Sequence, residues 1–193
     1  PGLMEYFTVY SREPSFGTNI NTRADVQALL ESALSQTRVT EILGQLYPAS
    51  GGGGRPGGGG GTTPPPQMGS LMEFYLKSGM TEDEFALISD DLTASTNSYT
   101  EGLVNVNTAS EPVLECIPGI GADYAPQLIS YRESNPSKLR SVAWVANVIG
   151  DTNALTAGPY ITTRSYQYTA DIAALGHHDR GYQRVRFVFD TSE

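Results

Sequence analysis

The sequence predicts an α+β fold, in which a mainly helical body is closed by an antiparallel sheet at its C-terminal end. Three observations carry that expectation. Apolar residues recur at helical spacing through most of the first 150 positions. A four-residue pattern, Asn19-Ile20-Asn21-Thr22, returns as Asn105-Val106-Asn107-Thr108, an offset of 86 residues (105 − 19). From Ser165 onward the pattern changes to alternation of period two, the signature of strands with two different faces.

The helical body starts after a short entry. Residues 3–10 are rich in strand-favouring side chains and predict an extended entry that Pro14 and Gly17 end. Thr22 with Asp25 resembles a capping box, and Val26, Leu29 and Leu30 stripe a helix running to about Leu34. A second helix, from about Thr37 to Leu46, places Val39, Ile42, Leu43 and Leu46 on one face. Residues 51–66 are glycine, proline, threonine and one arginine; such a tract buries no apolar surface and reads as a flexible insertion. Two helices follow, one from Ser70 to about Lys77 and one opened by Thr81 with Glu84, carrying Phe85, Leu87 and Ile88.

The central stretch, residues 102–121, organises the second half. Residues 102–106 predict a short strand, and Thr108 with Glu111 a capping box for a helix bearing Val113, Leu114 and Ile117. Pro118-Gly119-Ile120-Gly121 stops that helix, because proline removes a donor and glycine tolerates the positive φ of a reversal. A further helix from about Ala122 to Ser134 offers Ala125, Leu128 and Ile129 to the first, which makes a helix-hairpin-helix unit over residues 102–134. Beyond it, Ser141 is expected to cap a short helix ended by Gly150, and residues 151–163 read as turns. Residues 165–174 and 182–190 then predict an antiparallel hairpin that joins a larger sheet or lies on the helices, since two strands alone are marginal.

Composition restricts the function. The 193 residues carry a net charge of −9, with ten arginines and two lysines, which makes nucleic acid a poor partner. Opening at Pro1 without methionine, the sequence reads as part of a longer protein whose membrane anchor lies outside it. Cys116 excludes an internal disulfide and is expected to be a small buried hydrophobe. His177 and His178 are adjacent on the hairpin tip, a poor metal shell. With no phosphate loop, Gly-x-Ser-x-Gly motif or metalloprotease helix, enzymatic activity is not expected. In nucleic-acid-binding helix-hairpin-helix modules the turn amides face a phosphate. Here Asp123 follows the turn, although Arg132, Lys138 and Arg140 make the neighbourhood less acidic.

The run 103–110, then Val113-Leu114, 117–120, 125–129 and Tyr131-Arg132, resembles the K-type minor pseudopilins of bacterial type II secretion systems. Residues 3–10, Asn19 to Thr22 and the strands of 165–190 resemble flanking parts of that family; the glycine tract is a departure, and the family's hydrophobic N-terminal helix is absent. The resemblance implies a pilin-like fold with an inserted SAM-like, helix-hairpin-helix domain. Its divisions would be an entry strand and first helical repeat at 1–50, an insertion at 51–67, a helical domain at 68–163 and closing strands at 164–193. It implies a non-enzymatic subunit at the tip of the pseudopilus, acting in pseudopilus assembly and protein secretion. Such a subunit is the periplasmic domain of an inner-membrane-anchored protein of a Gram-negative bacterium, and its partners are the I-type and J-type minor pseudopilins. Membrane contact would pass only through the N-terminal helix.

Some members bind calcium, for which Asp90, Asp91 and Asp151 offer hard oxygen donors; no other cofactor is expected. Asn105, Asn107, Thr108, Pro118, Gly119 and Gly121 are expected to hold the motif, and Arg184 and Arg186 to meet a partner. A similar central pattern occurs in competence-type DNA receptors, so a DNA-binding module of DNA uptake is the alternative.

Overall fold

An asparagine at the end of a strand can accept the amide two residues ahead on its own side chain and so turn the chain into a helix. Both copies of Asn-x-Asn-Thr do this in a computed structural model of the protein, which describes Tyr6, Thr8 and residues 10–48, 67–177 and 181–192. The amide of Asn21 donates to Oδ1 of Asn19 and that of Asn107 to Oδ1 of Asn105, each at 2.9 Å. In the first copy β2 (Thr18–Asn19) is followed by α1 (Arg23–Ala33), α2 (Gln36–Leu46), α3 (Leu71–Ser78), α4 (Glu82–Ile88), a 3-10 turn (Ser89–Asp91) and β3 (Leu92–Thr93). In the second, β5 (Val104–Asn105) is followed by α5 (Glu111–Glu115), α6 (Gly121–Ser134), α7 (Ala143–Ile149), α8 (Asp151–Ala157), a 3-10 turn (Gly158–Tyr160) and β6 (Ile161–Thr162).

The two copies also share several bonds, although a 3-10 turn at Pro136–Lys138 has no counterpart in the first copy among the described residues. β2 pairs in parallel with β3, and β5 with β6. The amide of Ile20 donates to the Thr93 carbonyl and that of Val106 to the Thr162 carbonyl, both at 2.9 Å. The side-chain amide of Asn21 spans to the Met68 carbonyl (3.1 Å), and that of Asn107 to the Leu139 carbonyl (3.0 Å). Each bond ties the strand-to-helix turn to the segment that enters the third helix of its copy. The chain therefore contains a duplicated strand, four-helix, strand module. An additional antiparallel pair, β1 (Arg12–Pro14) with β4 (Tyr99–Glu101), bridges the entry of the first module to the linker before the second.

The modules differ most between their second and third helices. That connection has 24 residues in the first module (71 − 46 − 1) and eight in the second (143 − 134 − 1). The difference equals the 16 residues of the 51–66 tract, which lies outside the described residues. Deleting residues 51–66 should therefore leave the fold intact and change unfolding free energy by less than about 1 kcal/mol, since loop closure depends only weakly on length. Urea denaturation checks this; a loss of several kcal/mol would mean the tract is part of the packed structure.

One apolar core runs through both modules. Ile20, Leu30, Phe74, Phe85, Leu114, Leu128 and Trp144 are fully buried, and the expected stripe of α2, Val39, Ile42, Leu43 and Leu46, faces inward. On α4, Phe85 and Ile88 are buried while Leu87 is exposed, because its short helix offers the core one face only.

Capping divides the expected helix starts. Ser70 accepts the Glu73 amide, and Thr81 with Glu84 forms a complete capping box. Glu84 also takes a two-pronged bond from Arg38, 2.9 and 3.0 Å. That guanidinium, chiefly, holds the Glu84 carboxyl below the usual carboxylate range. A lowered folded-state value stabilises the protein above the unfolded carboxyl pKa of about 4.3, and the contribution is lost as pH falls through the folded value. Glu84→Gln should accordingly flatten the acid limb of a stability-versus-pH curve; an unchanged limb would remove Glu84 from the account.

Thr22 and Thr108 do not cap. Thr22 precedes α1 without a side-chain bond, and α5 begins two residues later than the Thr108 box requires, after Ser110. In both places the Asn19 or Asn105 side chain has already turned the chain. Ser141 also fails to cap: Val142 precedes α7, and the buried Ser141 hydroxyl has no hydrogen-bond partner among the described residues. Residues 151–163, expected as turns, contain helix α8, the counterpart of α4.

The terminal strands are β7 (Gln167–Leu175) and β8 (Tyr182–Asp190), antiparallel from Gln167↔Asp190 to Leu175↔Tyr182. They form a two-stranded ribbon and join no larger sheet among the described residues. At its base the ribbon is held to the entry strand: the Arg12 amide donates to Oε1 of Gln167 (2.9 Å) and its guanidinium pairs with Asp190 (3.2 Å). Of the entry expected at residues 3–10, only Tyr6, Thr8 and Tyr10 lie within the described residues.

Candidate functional site

The helix-hairpin-helix turn is built from the inside outward. Leu114, Ile117, Ile120, Ala125 and Leu128 are buried and bring α5 and α6 together. Gly119 has φ +85° and Gly121 φ +59°, the left-handed conformations that the Pro118-Gly119-Ile120-Gly121 reversal needs. The amides of Ile120 and Gly121 both donate to the Ile117 carbonyl, at 3.0 and 3.2 Å. Two of the donors that could meet a phosphate are thus already engaged within the turn.

Gly119 also faces inward. A side chain there would run into the carbonyl of Asn153 and come within 3.1 Å of the Ala157 nitrogen and the Thr156 Cβ, so the turn presses on α8. Two of the three neighbouring cations have partners within the fold. Arg132 donates from Nη1 to the carbonyls of Val106 (3.0 Å) and Ala109 (2.8 Å), fastening α6 to the strand-to-helix turn. Lys138 lies 3.9 Å from Asp83, and Arg140 is exposed. Asp123 occupies the first turn of α6, where a bound phosphate would meet its charge. The hairpin is an element of packing first.

The asparagines of the motif also act inside the module. Asn107 accepts Trp144 Nε1–H on Oδ1 (3.1 Å), and Asn105 donates to Ser165 Oγ (2.8 Å). Thr108 contributes its backbone, donating to the Asn105 carbonyl at 3.2 Å. Trp144 stacks on Tyr131 with ring centroids 5.4 Å apart and planes within 1°. The sequence pattern did not reveal this indole clamp, although a single tryptophan five residues after Leu139 could have pointed to it.

The remaining expected residues are dispersed. Asp90 and Asp91 close α4 in the first module, whereas Asp151 opens α8 in the second; all three are exposed. No group of three or more His, Cys, Asp or Glu able to hold a metal exists among the described residues. Cys116 is exposed, contrary to expectation, because it follows α5 on the side away from Leu114 and Ile117; its thiol donates to the Pro112 carbonyl at 3.2 Å. His177 is exposed on the ribbon tip, and His178 lies outside the described residues. On the ribbon, Arg184 forms a two-pronged pair with Asp171, both bonds 2.7 Å, while Arg186 forms no ion pair among the described residues. A cleft of about 530 Å³ is lined by residues of both modules, among them the ion-paired Glu13 and Arg164 (2.8 Å).

These features define a class: a mixed α/β protein whose second module contains a helix-hairpin-helix. A family model described as a helix-hairpin-helix motif matches residues 100–143, the stretch from β4 to the first residue of α7. Comparison with curated proteins and with solved structures gives no significant match. Among the described residues, no helix is long and apolar enough to cross a membrane.

Proposed function

We propose that the chain is the periplasmic part of a K-type minor pseudopilin, a non-enzymatic subunit that caps and helps assemble the filament of a type II secretion system. The observation that carries this reading is the inward use of the hairpin. Its amides close on Ile117, its glycine packs on α8, and Arg132 fastens the neighbouring turn. A motif spent on packing supports a structural head, and the duplicated module supplies the bulk that a tip subunit needs. The pilin-like part of the reading rests on the resemblance of residues 103–132 and of the flanks, together with a terminal ribbon that offers open edges for docking.

The test is genetic and biochemical. Deleting the gene in its own organism should leave exported proteins inside the cell, and restoring it should release them; unchanged secretion would overturn the reading. The family-model match at residues 100–143 favours a second reading, a DNA-binding module of DNA uptake. That reading requires duplex binding that weakens steeply with salt. On the filament reading, a duplex titration at low salt gives no saturable signal, in keeping with a net charge of −9.

A further inference from the structure

The ribbon of β7 and β8 has one apolar face and, along β8, an edge that no other strand covers among the described residues. Cross-strand partners share a face. The pairs Tyr168 with Phe189, Ala170 with Phe187, Ile172 with Val185 and Ala174 with Gln183 therefore line one side. That side is apolar except for Gln183, and Tyr168, Ile172, Phe187 and Phe189 are between 45% and 53% exposed. The opposite side carries Asp171, Arg184, Arg186 and Asp190.

The register also fixes which backbone groups point outward. The Thr191 amide donates to the Tyr166 carbonyl (2.8 Å) and the Gly176 amide to the Gly181 carbonyl (2.9 Å). Pairs in phase with these spend their backbone bonds between the strands. On β8 the alternate residues, Arg184, Arg186 and Val188, therefore turn N–H and C=O away from β7. Neither strand contains proline or lysine, and nine consecutive pairs run without a bulge, so the edge of β8 is guarded only by the charges of Arg184 and Arg186.

We propose that the outer edge of β8 accepts an extended strand from a second, different polypeptide, one that alternates apolar residues and places a carboxylate opposite Arg186. The partner's apolar residues extend the face of Ile172, Phe187 and Phe189, and its carboxylate meets Arg186, which stands across from Asp171 but forms no close ion pair among the described residues. The neighbouring Arg184 is already held by Asp171. A second copy of this chain is the poorer occupant, because each copy brings a net charge of −9. This proposal deepens the filament reading by naming what its ribbon edge takes, and peptide binding tests it separately from secretion.

The experiment titrates the full chain with labelled, end-blocked nine-residue peptides in which valine alternates with threonine, and in which the central threonine is replaced by glutamate or by lysine. The glutamate peptide should bind at least tenfold more tightly than the lysine peptide. Arg186→Glu should reverse that order. Val188→Pro, which removes an outward donor without touching the bonds to β7, should weaken binding at least tenfold, while Val188→Thr keeps it. Circular dichroism verifies that each variant is folded. Binding unaffected by Val188→Pro, a peptide order indifferent to Arg186→Glu, or no binding at millimolar peptide would each overturn the proposal. So would a dimer of the chain alone that Val188→Pro dissolves, which would give the edge to a second copy.

Discussion

Replacing Trp144 with alanine should lower unfolding free energy by about 4 kcal/mol, the range found for emptying a large aromatic site in a core. The indole is fully buried, stacks on Tyr131, and donates to Asn107 Oδ1 at 3.1 Å. Its removal opens a cavity and takes away a bond from the asparagine that ties the second module's turn to Leu139. Trp144→Phe keeps most of the volume and loses the donor, so it should cost about 1–2 kcal/mol. Urea midpoints of the two variants separate packing from hydrogen bonding. Equal losses would place the whole effect in the N–H bond, and a negligible loss for alanine would contradict a packed indole.

Gly119→Val is the second large effect, with an expected loss of about 2–5 kcal/mol from two independent sources. A β-branched residue at φ +85° costs about 1–2 kcal/mol, and forcing a side chain into a packed site about 1–3 kcal/mol more. The obstacle is backbone, the Asn153 carbonyl and the Ala157 nitrogen, which cannot rotate aside as a side chain would. Gly121 makes an informative contrast. It shares the positive φ, but a Cβ there meets nothing within 4 Å. Gly121→Ala should therefore show only the conformational part, about 1 kcal/mol. If both glycines tolerated substitution equally, the contact of the turn with α8 would not be a structural one.

These contrasts also mark what the sequence made legible. Helical spacing found α2 through Val39, Ile42, Leu43 and Leu46, and the Thr81 and Glu84 pair located the start of α4. The Asn-x-Asn-Thr repeat was visible as four letters, yet its depth was not. Helix α8 was missed because residues 151–157 include two threonines and an asparagine and bury only Ala154 and Ala157, which leaves too weak a stripe to read. Carrying the repeat forward from Glu82–Ile88 would have located it.

The two threonine caps failed for the opposite reason. The letters matched a capping box, but Asn19 and Asn105 had already turned the backbone, and α5 began only at Glu111. Arg132 read as a cation near a phosphate site and instead binds two carbonyls inside the module. Pattern alone does not tell an outward arginine from one folded back on its own backbone. The isolation of the ribbon was likewise invisible, since alternation reports two faces but not what stands beside them.

We propose that this duplicated helical head serves a filament tip by binding other subunits. Its most direct test is size-exclusion chromatography with light scattering on the full chain mixed with the I-type and J-type minor pseudopilins of the same genome. A single peak with the mass of a 1:1:1 complex is the expected result. Three separate monomer peaks at micromolar concentration would contradict it.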